Sequence, residues 1–207
     1  RDRHRLRHGA GCALVIGHGE GDREGPGRAV GMRRIARRGG GAVARAVRRG
    51  RDEYGVDRGD CDLCAAGENA ASPHHHAGSR VIQANEIVLC DFGGTLNGYC
   101  SDITRCVFTG PISSDVADAY AVLFESQAAG VAAGVVGNAC EDVDRASRAV
   151  IEKAGYGEYF VHRTGHGIGM EAHEEPYMVS GNTLPLEAGH AFSVEPGIYV
   201  AGKWGRS

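Results

Sequence analysis

Two apolar runs that face each other across a glycine-rich link constrain this chain more than any other feature. The segment EIVLCDFGG reads as a buried strand ending on Asp91, and SDITRCVF reads as a second strand starting near Asp102. The turn-rich GGTLNGYC between them makes a hairpin, with both carboxylates near the loop end of adjacent strands. Two more polar residues stand in short motifs further on, His166 in RTGHGIG and Glu195 in FSVEPGIY.

The text between these motifs is patterned for helices and short strands. Ser114 fits as the N-cap of a helix with apolar-side positions Val116, Ala119, Tyr120, Leu123 and Gln127 near the 3.6 period. A second helix opens near Cys140, carries Val143, Ala146 and Val150 on one face, and stops at Gly155. Then EYFVHRTG reads as a strand, GHGIGMEAHEEPY as a glycine-broken loop, SGNTLPLEAG as a polar turn and HAFSVEPGIYV as a strand. Short strands, two longer helices and antiparallel connections predict an α+β domain.

The chain of 207 residues is long enough for one sizeable core. It divides near residue 60. Residues 1-60 hold most of the arginines and no lysine, whereas acids outnumber bases in residues 61-207. Within the first part, Gly31 to Arg51 is at best a poor basic helix, since Gly39, Gly40 and Gly41 each cost about 1 kcal/mol. Two readings stand for this Arg/Gly-rich stretch: an arm for nucleic acid, or a disordered or mistranslated end, which is the preferred one. No run reaches the roughly 18 to 20 apolar residues of a membrane span, and no signal peptide is visible, so the cytoplasm is the expected compartment. Seven cysteines in irregular places do not make a disulfide framework. Cys61 and Cys64 have redox or zinc-knuckle spacing but no second pair, which favours a structural role. Neither a phosphate-binding loop nor a serine-hydrolase elbow is present.

Metal chemistry needs ligands that stay deprotonated and converge from different elements, and Asp91, Asp102, His166 and Glu195 satisfy both conditions. One acid in a strand is usually a solvated face residue; the joint set is far more specific. Asp91 can chelate one ion, Asp102 can bridge two, and His166 with Glu195 can complete the second shell. Oxygen-dominated ligation with one imidazole suits manganese first, then cobalt, zinc or iron. His74, His162 and His173 stand where they can donate hydrogen bonds and pass protons. For His162 and His173 the competing reading is a satisfied structural histidine; for His75 and His76 a solvated loop is preferred.

From about Ala65 to Trp204 the chain resembles the metallopeptidase family that contains Xaa-Pro aminopeptidase, Xaa-Pro dipeptidase (prolidase) and methionine aminopeptidase. The blocks ENAASPHH, LCDFGG, SDITR, HRTGHGIGMEAHEEP and SVEPGIYV look like that family's, in its order. The resemblance implies the pita-bread fold, an antiparallel curved sheet with flanking helices. It implies Asp91, Asp102, His166 and Glu195 as ligands of two divalent ions, and His74, His162 and His173 as histidines around the scissile peptide. HRTGHGIG with EPGIYV is more similar to the Xaa-Pro peptidases than to methionine aminopeptidase, and creatinases lack the metal set. The family's fifth ligand, a bridging Glu, follows a GKWG-like turn, whereas here GKWGRS stops. The resemblance therefore implies a catalytic domain incomplete at its C-terminal end.

The implied activity is hydrolysis of Xaa-Pro bonds in dipeptides or at peptide N-termini, by a metal-bridging hydroxide, formed from a water whose pKa the cations lower from near 15.7 towards about 7. Glu195 would take the water's proton, while His74, His162 and His173 bind the substrate and the developing oxyanion. Methionine aminopeptidase-like activity and a non-catalytic peptide- or protein-binding module are the alternatives. Nucleic-acid binding by the arm is disfavoured, and the oligomeric state stays open, with a homodimer among the options. Without a bridging carboxylate, the 207-residue chain is expected to bind a second metal poorly and turn over little. Metal content by mass spectrometry, together with hydrolysis of Gly-Pro, checks this; tight binding of two metals with full activity would refute it.

Overall fold

The structure is a computed structural model that describes residues 12–15, 57–76 and 78–206. Its strands are β1 (Cys12–Val15), β2 (Asp57–Ala66), β3 (Ile87–Leu96), β4 (Tyr99–Phe108), β5 (Gly165–Gly167), β6 (Glu174–Met178), β7 (Ala191–Val194), β8 (Ile198–Val200) and β9 (Trp204–Arg206). The helices are α1 (Ser114–Ala133) and α2 (Cys140–Lys153), with short 3₁₀ turns at Gly67–Ala71 and Gly157–Tyr159. Among the described residues the ladders are all antiparallel, in three sheets ordered β1-β7-β5-β6, β2-β3-β4 and β8-β9. The α+β class expected from the sequence is the one found. The stretch 31–51, at best a poor basic helix, lies outside the described residues. β1 pairs with β7, and β2 runs through the expected boundary at residue 60.

The hairpin is longer and its turn tighter than the sequence reading has it. β3 and β4 pair without interruption from Ile87↔Phe108 to Leu96↔Tyr99, so only Asn97 and Gly98 turn. Their φ values of 52° and 86° are the two left-handed conformations a type I′ turn needs, which glycine adopts freely and asparagine tolerates. Asp91 faces Thr104 and Asp102 faces Gly93. Both aspartates are therefore inside the ladder and not at its loop end, on one face and diagonal to each other. The hairpin's far end is tied down, because Cys100 N–H donates to the Gly169 carbonyl at 2.7 Å.

Sheet β1-β7-β5-β6 corrects two further expectations. GHG, read as part of a loop, is strand β5, and it lies between β6 and β7. A Cβ at Gly165 would overlap the Ser193 carbonyl, and one at Gly167 would overlap the Glu174 and Glu175 carbonyls. These glycines mark close backbone approach instead of a break. HAFSVEPGIYV is two strands, since Pro196 has no N–H to continue the ladder beyond Val194. In EYFVHRTG, Glu158 and Tyr159 belong to a 3₁₀ turn and only Gly165 belongs to a strand, as the first residue of β5.

The helices pack on these sheets with stripes that are only partly apolar. α1 buries Val116, Ala119 and Leu123, then Ser126 and Gly130 in place of Gln127, because α2 crosses there. Ser126 Oγ donates to the Ser147 carbonyl at 2.8 Å and Ser147 Oγ to the Ser126 carbonyl at 3.0 Å, which satisfies two buried hydroxyls. One core joins β2, β3, α1, Ile151, Phe160, Ile198 and Trp204; a second joins Cys140, Val143, Met178, Leu186, Phe192 and Val194. Among the described residues no helix is long and apolar enough to cross a membrane.

The buried face of α2 also carries a charge, Asp144, which an apolar-only reading of Val143, Ala146 and Val150 passes over. Arg148 clasps its carboxylate with Nε and Nη2, both at 3.0 Å, and donates onward from Nη1 to the Phe160 carbonyl and from Nη2 to the His162 carbonyl. The guanidinium stacks 4.1 Å above the Phe160 ring. Thr164 completes the clamp, giving its N–H and hydroxyl to Asp144 Oδ1 at 3.1 and 2.7 Å. The unladdered stretch 160–164 is thus held by one carboxylate and one guanidinium. Asp144→Ala is expected to cost about 3–5 kcal/mol, because it strands a half-buried cation and two donors; urea unfolding measures the loss, and a cost below about 1 kcal/mol would contradict it.

Candidate metal centre

Strand β5 points the His166 imidazole into the space above the hairpin. The ring is buried, and its Nδ1 lies 2.9 Å from the Gly167 carbonyl. A carbonyl only accepts, so Nδ1 carries the hydrogen and Nε2 keeps the lone pair when the ring is neutral. Nε2 sits 3.0 Å from Glu195 Oε1 and 3.3 Å from Asp102 Oδ2. With the ring neutral, Nε2 is a buried nitrogen that has no donor to accept from among the described residues; protonated, it pairs with both carboxylates. A lone pair held by its far-side N–H and facing two carboxylates is the arrangement a divalent cation fits.

The remaining donors come from three other places. Asp102, His166 and His173 each offer a ligand atom, and these atoms all lie within 4.8 Å of one another. His173 is exposed, and its ring meets that of His166 edge to face at 4.1 Å. Asp91, from β3, receives the Thr104 hydroxyl on Oδ1 at 3.1 Å, across the strand pair. Glu195 follows β7 immediately, its N–H donating to the Thr164 carbonyl at 2.8 Å and its Oε1 receiving the Ser193 hydroxyl at 3.0 Å. Ser193 Oγ in turn accepts the His166 N–H at 3.0 Å. One hydroxyl therefore couples the histidine's backbone to the glutamate's carboxylate.

Crowding of negative charge sets the protonation pattern. Burial, then the neighbouring Asp102 and Glu195 charges, push Asp91 up to about 7. The contact with His166 holds Asp102 below its usual range, against burial. At His166, burial is the largest influence and disfavours the imidazolium, but Asp102 and Glu195 together outweigh it and push the group up to about 9. His162 and His173 move the other way, both mainly through burial, with the His166 charge next in importance at His173.

The structure brings Asp91, Asp102, His166, His173 and Glu195 together. His162 stands beside them with both ring nitrogens engaged, Nδ1 on the Arg163 carbonyl at 2.6 Å and Nε2 on the Tyr199 hydroxyl at 3.0 Å. His74 is elsewhere in its contacts: exposed after the 67–71 turn, it makes no hydrogen bond, ion pair or ring contact among the described residues. Sequence reasoning passed over Ser193, Thr104 and Tyr199. The available signal was a hydroxyl within an apolar strand, as in AFSV and GIYV, where it must find a partner.

Comparison with known proteins adds an independent finding. The model of metallopeptidase family M24 matches residues 31–207. A probable dipeptidase PepE of Mycobacterium tuberculosis is 49% identical over 144 residues, covering 69% of this chain and 38% of that protein. A Xaa-Pro dipeptidase of Lactobacillus helveticus is 48% identical over 140 residues, covering 68% of this chain and 38% of that protein. Among solved structures, dipeptidase PepE of Mycobacterium ulcerans aligns with TM-score 0.72 and 41% identity over 86% of this chain and 54% of that one. A prolidase of Thermococcus sibiricus aligns with TM-score 0.71 and 44% identity over 74% of this chain and 42% of that one. The chain spans about two fifths of the length of these curated relatives.

Protons would compete with any cation for these donors. In the metal-free protein the raised His166 value contributes stability that is complete below about pH 6.5 and lost as pH climbs to about 9. The raised Asp91 value contributes stability complete below about pH 4 and lost as pH climbs through about 7. Both signs agree, so the metal-free melting temperature is expected to fall between about pH 6 and 9. Manganese affinity should rise about tenfold or more per pH unit over the same interval. Thermal unfolding with chelator and with excess manganese checks both; a metal-free midpoint that climbs with pH would contradict the assignment.

Proposed function

Because the chain belongs to metallopeptidase family M24 and has its pita-bread fold, we propose that it hydrolyses Xaa-Pro dipeptides with two divalent cations, manganese first among them. The observation that carries this reading is the buried His166 Nε2 which, with the ring neutral, faces the Asp102 and Glu195 oxygens with no donor to accept from among the described residues. Asp91, Asp102, His166 and Glu195 are the proposed ligands. The names of the Lactobacillus and Thermococcus relatives support proline in the second position. The cytoplasm is the proposed compartment.

Bound divalent cations supply an acidified water and a polarised carbonyl. The protein's own groups do the rest. Glu195 receives the proton that the attacking water sheds, its Oε1 oriented by the Ser193 hydroxyl. His173, exposed beside His166, reaches the substrate carbonyl oxygen and donates to it as charge develops there. His162 stays neutral at pH 7, since burial lowers its pKa, and with Tyr199 forms a fixed polar wall against the peptide. Its orientation depends on the Asp144–Arg148 clamp, which holds its carbonyl. His74 is proposed as a substrate-binding residue on resemblance alone. Proline leaves the scissile nitrogen without an N–H, so recognition has to come from the carbonyl and from the free amino terminus.

Gly-Pro hydrolysis with added manganese tests the proposal. The 207-residue chain should release proline slowly, its expected weak binding of a second metal limiting turnover, and His166→Ala should lower even that rate at least about a hundredfold. Binding of Gly-Pro with no hydrolysis at any manganese concentration would favour the peptide-binding module instead.

A further inference from the structure

Outside the metal centre, the arrangement that stands out is a pair of thiols on neighbouring strands. Cys64 of β2 is the cross-strand partner of Cys90 of β3, and their Sγ atoms lie 3.9 Å apart. No disulfide joins them; Cys90 is buried and Cys64 half-buried. They belong to a small cluster with Ala66, Val88, Ile82 and Phe92. Directly paired residues on antiparallel strands have Cα atoms about 4.5–5.5 Å apart, inside the range that a disulfide spans.

The geometry points to Cys64 and Cys90 as an oxidisable dithiol that a hydroperoxide converts to a cross-strand disulfide. Cys106, on the neighbouring strand β4, is poorly placed to compete. It pairs with Leu89 and packs in the opposite core, since neighbouring residues of β3 alternate faces.

The reaction balances in two steps. Cys64, the more exposed, gives two electrons to the peroxide and becomes a sulfenic acid, while the peroxide is reduced to one water or alcohol. The Cys90 sulfur then attacks the Cys64 sulfur, the S–S bond forms, the S–O bond breaks, and the hydroxyl leaves with the Cys90 proton as water. Since Cys90 immediately precedes Asp91, the bridge fixes the β2–β3 ladder beside that carboxylate. This inference is independent of the peptidase reading.

The test treats the reduced full chain with hydrogen peroxide, blocks remaining thiols with N-ethylmaleimide, and maps peptides without reductant. The expected product is a Cys64–Cys90 linked peptide, about 2 Da lighter than the two reduced peptides together and released by dithiothreitol. In Cys90→Ser the link should vanish and Cys64 should accumulate oxygen adducts of about 16 or 32 Da. Should that variant fail to fold, the map of the parent chain decides. A link from Cys64 to Cys61, or a parent chain whose Cys64 climbs to sulfinic acid with Cys90 still alkylated, would overturn the proposal.

Discussion

The whole arrangement depends on how closely strand β5 is squeezed between its neighbours. Gly165 and Gly167 have no room for a Cβ on either side of His166, so the strand that carries the imidazole is fixed by contact of backbone on backbone. That fit sets the ring's depth, and the Gly167 carbonyl sets its tautomer. Everything around it is built to the same position: Ser193 bridges His166 to Glu195, and the hairpin brings Asp102 to the other side of Nε2.

Charge is then distributed in two contrasting ways. At Asp144 the carboxylate is balanced by Arg148 and saturated by Thr164, a buried pair that is stable only while both partners are present. At the centre the carboxylates outnumber the cations among the described residues, and the protein meets the imbalance by retaining protons on Asp91 and His166. The first pair is a structural fastening. The second is an electrostatic deficit that a cation relieves, and such deficits cluster where function is carried.

Much of this was legible in the residues. Asp91, Asp102, His166 and Glu195 could be picked out because each interrupts an apolar or glycine-rich run, and both helices showed their period. The boundaries were less so. Asn97-Gly98 is a strong hairpin signal, but the neighbouring Gly93 and Gly94 spread the apparent turn over eight residues and pushed the aspartates to its edge. GHG was read as a loop because glycine weakens a strand on its own; only knowledge of the flanking strands shows why side chains are excluded there. Asp144 escaped notice for a related reason. Its partners, Arg148 and Thr164, are close in space but separated by an irregular segment that no periodicity describes.

The tether between Cys100 N–H and the Gly169 carbonyl ties the hairpin to the segment that leads from His166 to His173. The two aspartates of one sheet and the imidazoles and glutamate associated with another are in this way riveted at a shared corner, beside the place where they meet. The weight of that contact falls on backbone alone: a residue inserted beside Asn97 would swing the Cys100 amide out of reach and uncouple the two groups of donors while leaving each group intact.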